Sequence, residues 1–367
     1  SQAGDAHGLA VLYSLKQQGI DCFRWLGNNF PTNQLITFDP HADEHSIIRQ
    51  SNSSPDASFI NKNSSFWMRR IGYPVFPEPN ETLNINDRDF AASEAKIFVE
   101  GWLHAVSEGF CINPFLAKSR ANSKSLQLTI AKKVGMNVPI TLVSNDPEKI
   151  KFNLRENENI RWIYKPFRVH QWDTDDASFL THATIITEDI LPGDRVLSFV
   201  PGIYQQLIEN KLYEIRATFF GSHCVAACLT NLPKDKIDWR GKQAEALGIK
   251  PINLPQKIQD QCRQIMKHLG IHFGCFDLVF DDNENYWFLE VNEAGQFLWV
   301  ERANPEIPML DICCDFLISR DVNYGYKKKT QHHSYYELLE NGIISELLKN
   351  DEGLIRENRK NSYIETI

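Results

Sequence analysis

The sequence predicts an α/β protein of two or three domains, and three observations predict it. Helical and strand-like apolar periodicities alternate along the first hundred or so residues, as in an open α/β domain. Gly19, Gly109 and Gly135 close helical patterns, while Asp146-Pro147 opens one. The 367 residues, 42% hydrophobic and 23% charged, suffice for several true cores.

The elements follow in order. "DAHGLAVLYSLKQQG" has the helical period and ends at Gly19, and "IDCFRWL" then reads as a strand. "SFWMRRI" (Ser65 to Ile71) is a further short strand, and "AASEAKIFVEGWLHAVSEG" a helix closed by Gly109. A domain of this kind opening on a helix, in a chain that starts at Ser1 without Met, leads us to expect a first strand upstream. "SRANSKSLQLTIAKKVG" is a helix, "VPITLVS" a strand, and "DPEKIKFNLREN" a helix with Asp146 as cap and Pro147 at its first position. "RWIYKPF" is a strand carrying Lys165, while the polar, aperiodic "RVHQWDTDDASF" is expected to be a mobile loop. Strands "VLSFVPGIYQQLI", "YEIRATFF" and "CVAACLT" follow, the last two joined by a Gly-Ser turn. Helix "PQKIQDQCRQIMKHLG" leads into a hairpin, "FDLVFDDNENYWFLEVNEAGQ". After Arg320 the chain is polar and basic and ends in an amphipathic helix.

Composition excludes several partners. A net charge of -8 argues against nucleic acid. No apolar run approaches the roughly 20 residues that cross a bilayer, and no signal peptide is visible. The eight cysteines include no CxxC pair, which points to buried thiols in a reducing cytoplasm rather than to disulfides or zinc. Asn52, Asn63 and Asn80 are then chance matches to the glycosylation pattern.

The hairpin carries the chemistry. Glu290 and Asn292, two apart, point to one face. With a loop centred on Asn283 and Glu284, Asp277 falls opposite Glu290, with Cβ atoms roughly 4.5–5.5 Å apart. Two such carboxylates repel unless one is protonated or a cation lies between them. With an amide oxygen they make a hard ligand set suited to Mg²⁺, which also takes phosphate oxygens. The alternative is a surface hairpin with its acids in solvent. Lys124, Lys165 and Arg216 lie inside apolar elements upstream, where triphosphate would need cations. Neither a GxxxxGK[ST] loop nor a kinase-type glycine loop is present.

This order of parts resembles the ATP-grasp ligases, and within them the microviridin-type (graspetide) peptide maturases. The resemblance is carried by "DAHGLAV", "FWMRR", "SLQLTIAKKVGMNVPITLVSNDP", "YKPF", "KIDWR" and "FLEVNEAGQFLWVE", and it extends to about Arg320. It implies an ATP-grasp fold: an N-terminal open α/β domain over 1–115, a central lid domain over 116–200 and a C-terminal domain over 201–325, with 326–367 a polar segment and helix. Lys124 and Lys165 then correspond to phosphate ligands, Gln206, Leu207 and Ile208 to the adenine hinge, and Glu209 to the ribose contact. Arg216 and Arg240 correspond to groups at the γ-phosphate or acyl phosphate, and with Lys165 to the catalytic set. Asp277, Glu290 and Asn292 correspond to the Mg²⁺ ligands. Two departures stand out: the loop after Lys165 is acidic (Asp173, Asp175, Asp176) without glycine, and "VAACLT" lacks a lysine that some relatives show.

The function implied is ATP-dependent macrocyclisation of a ribosomal precursor peptide, with Asp or Glu carboxylates joined to Thr or Ser hydroxyls or Lys amines. Arg69 and Arg70 are candidates for holding the acidic core, or else ion-pair partners at a domain seam. The leader is expected on the central domain around Ile186 to Phe199. His170 is a lone loop histidine that could touch substrate. The rival readings are a carboxylate-amine ligase acting on a free amino acid, and a nucleotide-binding regulator without turnover. A homodimer is left open.

Overall fold

The computed structural model describes residues 2–42, 46–50, 57–61, 63–72, 74–76, 84–168, 171–173, 178–181, 183–230, 248–328 and 333–351. Arg240, His170, Asp175, Asp176, Asn52 and Asn80 lie outside them.

The N-terminal part opens with helix α1 (Ala6–Gln17) and a three-stranded antiparallel sheet of β1 (Gln34–Phe38), β2 (Ser46–Gln50) and β3 (Ala57–Ile60). Strand β4 (Ser65–Trp67) pairs in parallel with β5 (Phe110–Ile112) across helix α2 (Ile85–Val106), whose N-terminus is capped by the Asn84 side chain. Two sequence expectations change here. "IDCFRWL" forms no strand, and "SFWMRRI" is a strand only to Trp67, with Arg70 farther on at a positive φ of 44°.

Helices α3 (Phe115–Ala121) and α4 (Lys124–Lys133) follow, α4 being capped by the Ser123 hydroxyl. The central sheet has the order β10-β7-β11-β6, from β6 (Thr141–Ser144), β7 (Trp162–Lys165), β10 (Thr184–Ile186) and β11 (Gly202–Gln206). Helix α5 (Pro147–Glu156) packs on it, with Asp146 capping as its sequence predicts. Between β7 and β10, residues read as a loop form an antiparallel pair, β8 (Gln171–Asp173) with β9 (Ser178–Leu180). Each has only three residues, too short to show a period. "VLSF", expected to be extended, is instead part of α6 (Asp194–Phe199). Strand β11 hydrogen-bonds to both β6 and β7, so the sheet changes after Gln206, a few residues beyond the expected boundary at 200/201.

The largest sheet runs β14-β13-β12-β15-β16, built from β12 (Lys211–Phe220), β13 (His223–Thr230), β14 (Gly248–Ile252), β15 (Phe273–Asp281) and β16 (Tyr286–Asn292). Period two sorts its side chains. Ile215, Ala217, Phe219, Phe276 and Leu278 pack with Ile130 of α4 and Ile265 of α7 (Gln256–Leu269). On the opposite face, Phe220, Phe273 and Cys275 pack with α1, α8 (Leu298–Ala303) and α9 (Met309–Ser319). Helix α10 (Tyr335–Glu340) covers this second core, and residues 343–351 are helical. The second face is helix-covered only around Phe220 and Phe273; near Glu214, Asp277 and Val279 it opens into a cavity.

Candidate active site

That cavity, of about 360 Å³, lies between the central and the five-stranded sheets. Ile163, Ile203 and Gln205 to Ile208 wall one side, and Glu214, Asp277, Val279, Leu289, Glu290 and Asn292 the other, with Lys124 and Lys165 also lining it. The apolar walls suit a flat base and the cations suit anionic oxygens.

A single residue sets the register. The turn pairs Phe280 with Tyr286, and continuing that ladder would bring Asp277 opposite Leu289. A β-bulge intervenes: Leu278 pairs with Phe288 and Asp277 with Glu290, leaving Leu289 unmatched. Consequently Leu289 and Glu290 both line the cavity while Phe288 and Val291 are buried behind. The opposed carboxylates expected from the sequence are present, and the bulge is the reason.

Each carboxylate has a cation. Arg216 Nη1 donates to Asp277 Oδ1 at 2.6 Å, and the pair is nearly enclosed, with side-chain exposures of 8% and 15%. Burial, the largest single influence, works against charge on Arg216, but Asp277, Cys275 and Glu290 together raise its pKa. Lys124 Nζ donates to Glu290 Oε2. Lys124 reaches it because Gln127, one turn along α4, binds the sheet edge, accepting from Val291 N at 2.9 Å and donating to its carbonyl at 2.8 Å. Asn292 Nδ2 lies 3.2 Å from Glu290 Oε1 and 3.4 Å from Asp277 Oδ2. Turning that amide over would present a third oxygen to a cation between the acids, so the donor set fits Mg²⁺. Among the described residues no group of three or more acids, histidines or cysteines is placed to hold a metal ion. Two carboxylates and an amide are therefore an incomplete shell, which phosphate oxygens would fill.

Lys165 Nζ donates to Gln205 Oε1 at 2.7 Å, on the adjacent strand. Beyond Gln206, Leu207 N donates to Arg161 O at 2.8 Å, holding this segment against the central sheet. Four of the expected site residues that are described stand apart from the cavity lining. Glu209 is ion-paired with Arg161, both about half exposed. Arg216 stands behind Asp277, and Arg69 is enclosed at the seam with α1, its Nε on Asp5 at 2.9 Å. Arg70 is exposed.

Sequence reasoning missed Lys211 and Glu214, which pair at 2.5 Å and line the cavity. Glu214 and Arg216 are two apart in an apolar strand, the same signal that drew attention to Glu290 and Asn292. It also missed His7 and Asn113, whose partners lie more than 150 residues away.

No protein-family model matches the chain, and no curated protein matches it. Solved structures do. The macrocyclase MdnC of Microcystis aeruginosa, bound with precursor peptide MdnA, superposes with a TM-score of 0.71 at 24% identity, over 88% of this chain and 97% of that one. A RiPP-associated ATP-grasp ligase of Chryseobacterium gregarium, in complex with ADP and a leader and core peptide, gives 0.73 at 22% identity, over 88% and 96%. This chain has the ATP-grasp fold. The ATP-grasp ligase PsnB, with minimal precursor, Mg and ADP, gives 0.65 at 20% identity over 86% and 94%.

Proposed function

We propose that the chain is an ADP-forming ligase that macrocyclises a ribosomally made precursor peptide. The observation that carries this is the set of Asp277, Glu290 and Asn292 facing Lys124 and Lys165 across one cavity between two sheets. Gln206 to Ile208 would hold adenine, Lys124 and Lys165 the phosphates, and Asp277, Glu290 and Asn292 a Mg²⁺ ion. The ion would supply charge neutralisation for the triphosphate.

A substrate carboxylate oxygen attacks the γ-phosphorus, the bond to the β-phosphate oxygen breaks, and ADP leaves. A hydroxyl or amine of the same peptide then attacks the acyl carbon, giving up its proton, and inorganic phosphate departs. The peptide loses one water per bond formed. No protein nucleophile takes part, so catalysis rests on orientation and fixed charge, to which Lys165 and Arg216 contribute. Arg240, in "DWR", is assigned to the acyl phosphate by resemblance alone.

The leader is assigned to the central domain, where Ile190, Val196 and Phe199 leave 57%, 51% and 74% of their surface exposed around α6. The reading places the enzyme in the cytoplasm with its precursor. Three solved structures of similar fold, two with precursor peptides and one with a leader and core peptide bound, support the peptide-substrate reading. Incubation with Mg²⁺, ATP and the peptide encoded beside this gene, read by mass spectrometry, tests it. Leader-dependent loss of one water per ring is expected. An unchanged peptide together with ligation of a free amino acid would replace this reading with a carboxylate-amine ligase.

A further inference from the structure

Immediately after Asn292 the chain makes a turn, residues 293–298, that is held mostly by side chains from the first 115 residues. Asn113 Nδ2 donates to Glu293 O at 2.8 Å. Arg69 Nη1 donates to Ala294 O at 2.6 Å and Gly295 O at 3.2 Å. His7 Nε2 accepts from Phe297 N and Leu298 N, each at 3.1 Å. Gln296 O accepts from Arg216 Nη2 at 2.8 Å and from Trp299 Nε1 at 3.1 Å. Arg216 is therefore oriented at two points, Asp277 on one side and this turn on the other.

We propose that Asp5, His7 and Arg69 are positioning residues: they clamp the 294–298 turn and, through the Gln296 carbonyl, fix the Arg216 guanidinium beside Asp277. The inference rests on the ligase reading above, in which Arg216 serves phosphoryl transfer.

Three features support a device for geometry rather than a generic seam. Asp5 occupies the N-cap position of α1 yet makes no capping bond with its side chain, which instead takes Arg69 Nε through both oxygens at 2.9 and 3.1 Å. Asp5 and Arg69 are 2% and 1% exposed, and a buried ion pair adds little stability over apolar packing while it sharply restricts orientation. Gly295 lets the turn press against the site: a Cβ there would lie 3.0 Å from Arg216 Nη2 and 2.6 Å from Cys275 Cβ. His7 must be neutral to accept from two amides. Burial first, then the positive Arg69, Arg70 and Arg216, lowers its pKa well below the ordinary value, and its ring packs edge-on against Phe297 at 5.2 Å.

His7→Leu removes the acceptor and His7→Gln returns one at similar reach, both in the full chain. Three quantities are measured: Mg–ATP affinity by calorimetry, ADP release with the adjacent-gene peptide, and amide exchange of the 293–298 segment by mass spectrometry. We expect His7→Leu to lower kcat by about tenfold or more with the Mg–ATP dissociation constant within about twofold, and His7→Gln to recover most of it. Exchange of 293–298 should accelerate in His7→Leu and stay near wild type in His7→Gln. Equal losses in both variants, a rise in dissociation constant matching the fall in kcat, or unchanged exchange in His7→Leu would overturn the clamp. A wild-type protein that binds Mg–ATP but releases no ADP would sink the ligase reading by itself, and the exchange result would still decide the clamp.

Discussion

Asp277→Asn removes the charge that Arg216 was folded around. The guanidinium would keep Gln296 O at 2.8 Å, but its nearest other carboxylate, Glu290, is already engaged by Lys124. With Arg216 at 7% exposure, water cannot replace the lost partner. Breaking a buried pair from one side costs about 3–5 kcal/mol. Arg216→Met should cost a similar amount, because it leaves Asp277 beside Glu290 without its guanidinium. The double variant, Asp277→Asn with Arg216→Met, strands no charge and should cost less than the two singles together, giving a coupling of about 2 kcal/mol or more. Urea titration followed by tryptophan fluorescence reads all four proteins. Each is then repeated with Mg–ATP at about a hundred times its dissociation constant, which should add about 2.7 kcal/mol to the wild type and nothing to Asp277→Asn. Additive single costs would refute the desolvated pair. Equal stabilisation of Asp277→Asn by Mg–ATP would remove Asp277 from the metal set.

Two further predictions concern the frame of the site. Glu301 is buried and accepts from Leu310 N and Tyr335 N; burial raises its pKa to about 7 from an ordinary 4.5. Its contribution is thus fully present below pH 4.5 and lost as pH rises through about 7, so between those limits wild type should lose about 3 kcal/mol relative to Glu301→Gln. A difference that is flat with pH in paired denaturation curves would contradict this. Gly295→Ala pushes a methyl to 2.7 Å from Cys275 Sγ, so it should destabilise by about 1–3 kcal/mol and slow ADP release. Wild-type turnover in that variant would show that the turn can move away from Arg216 freely.

Much of the site was legible because its signal is local. Polar residues two apart within apolar runs mark one face of a strand, and Glu290 with Asn292 carries that mark openly. The helix start at Asp146 was equally plain, since capping is a matter of one side chain and the next three amides. The helix read in one piece from Ser119 to Gly135 instead breaks, α3 ending at Ala121 and α4 starting at Lys124 behind the Ser123 cap. Local signals failed where short segments answer to distant partners. "VLSF" has the composition of a strand and forms a helix. Arg69 reads equally as a cation for an acidic peptide or as an ion-pair partner at a seam, and only the fold, which encloses it against Asp5, separates the two.

The sequence by itself determined the kind of chemistry: two acids and an amide on a hairpin, two lysines and an arginine upstream, in an order that resembles ATP-grasp ligases. Only the tertiary structure decided how those groups meet. The turn's own register would have brought Leu289 opposite Asp277, and the bulge, on a strand whose edge α4 binds through Gln127, brought Glu290 there instead. His7 and Arg69 acquire their partners across 290 and 225 residues of chain. A bulge depends on packing around both strands, and a long-range hydrogen bond on the closure of every loop between its ends. No period or spacing within a short window records either.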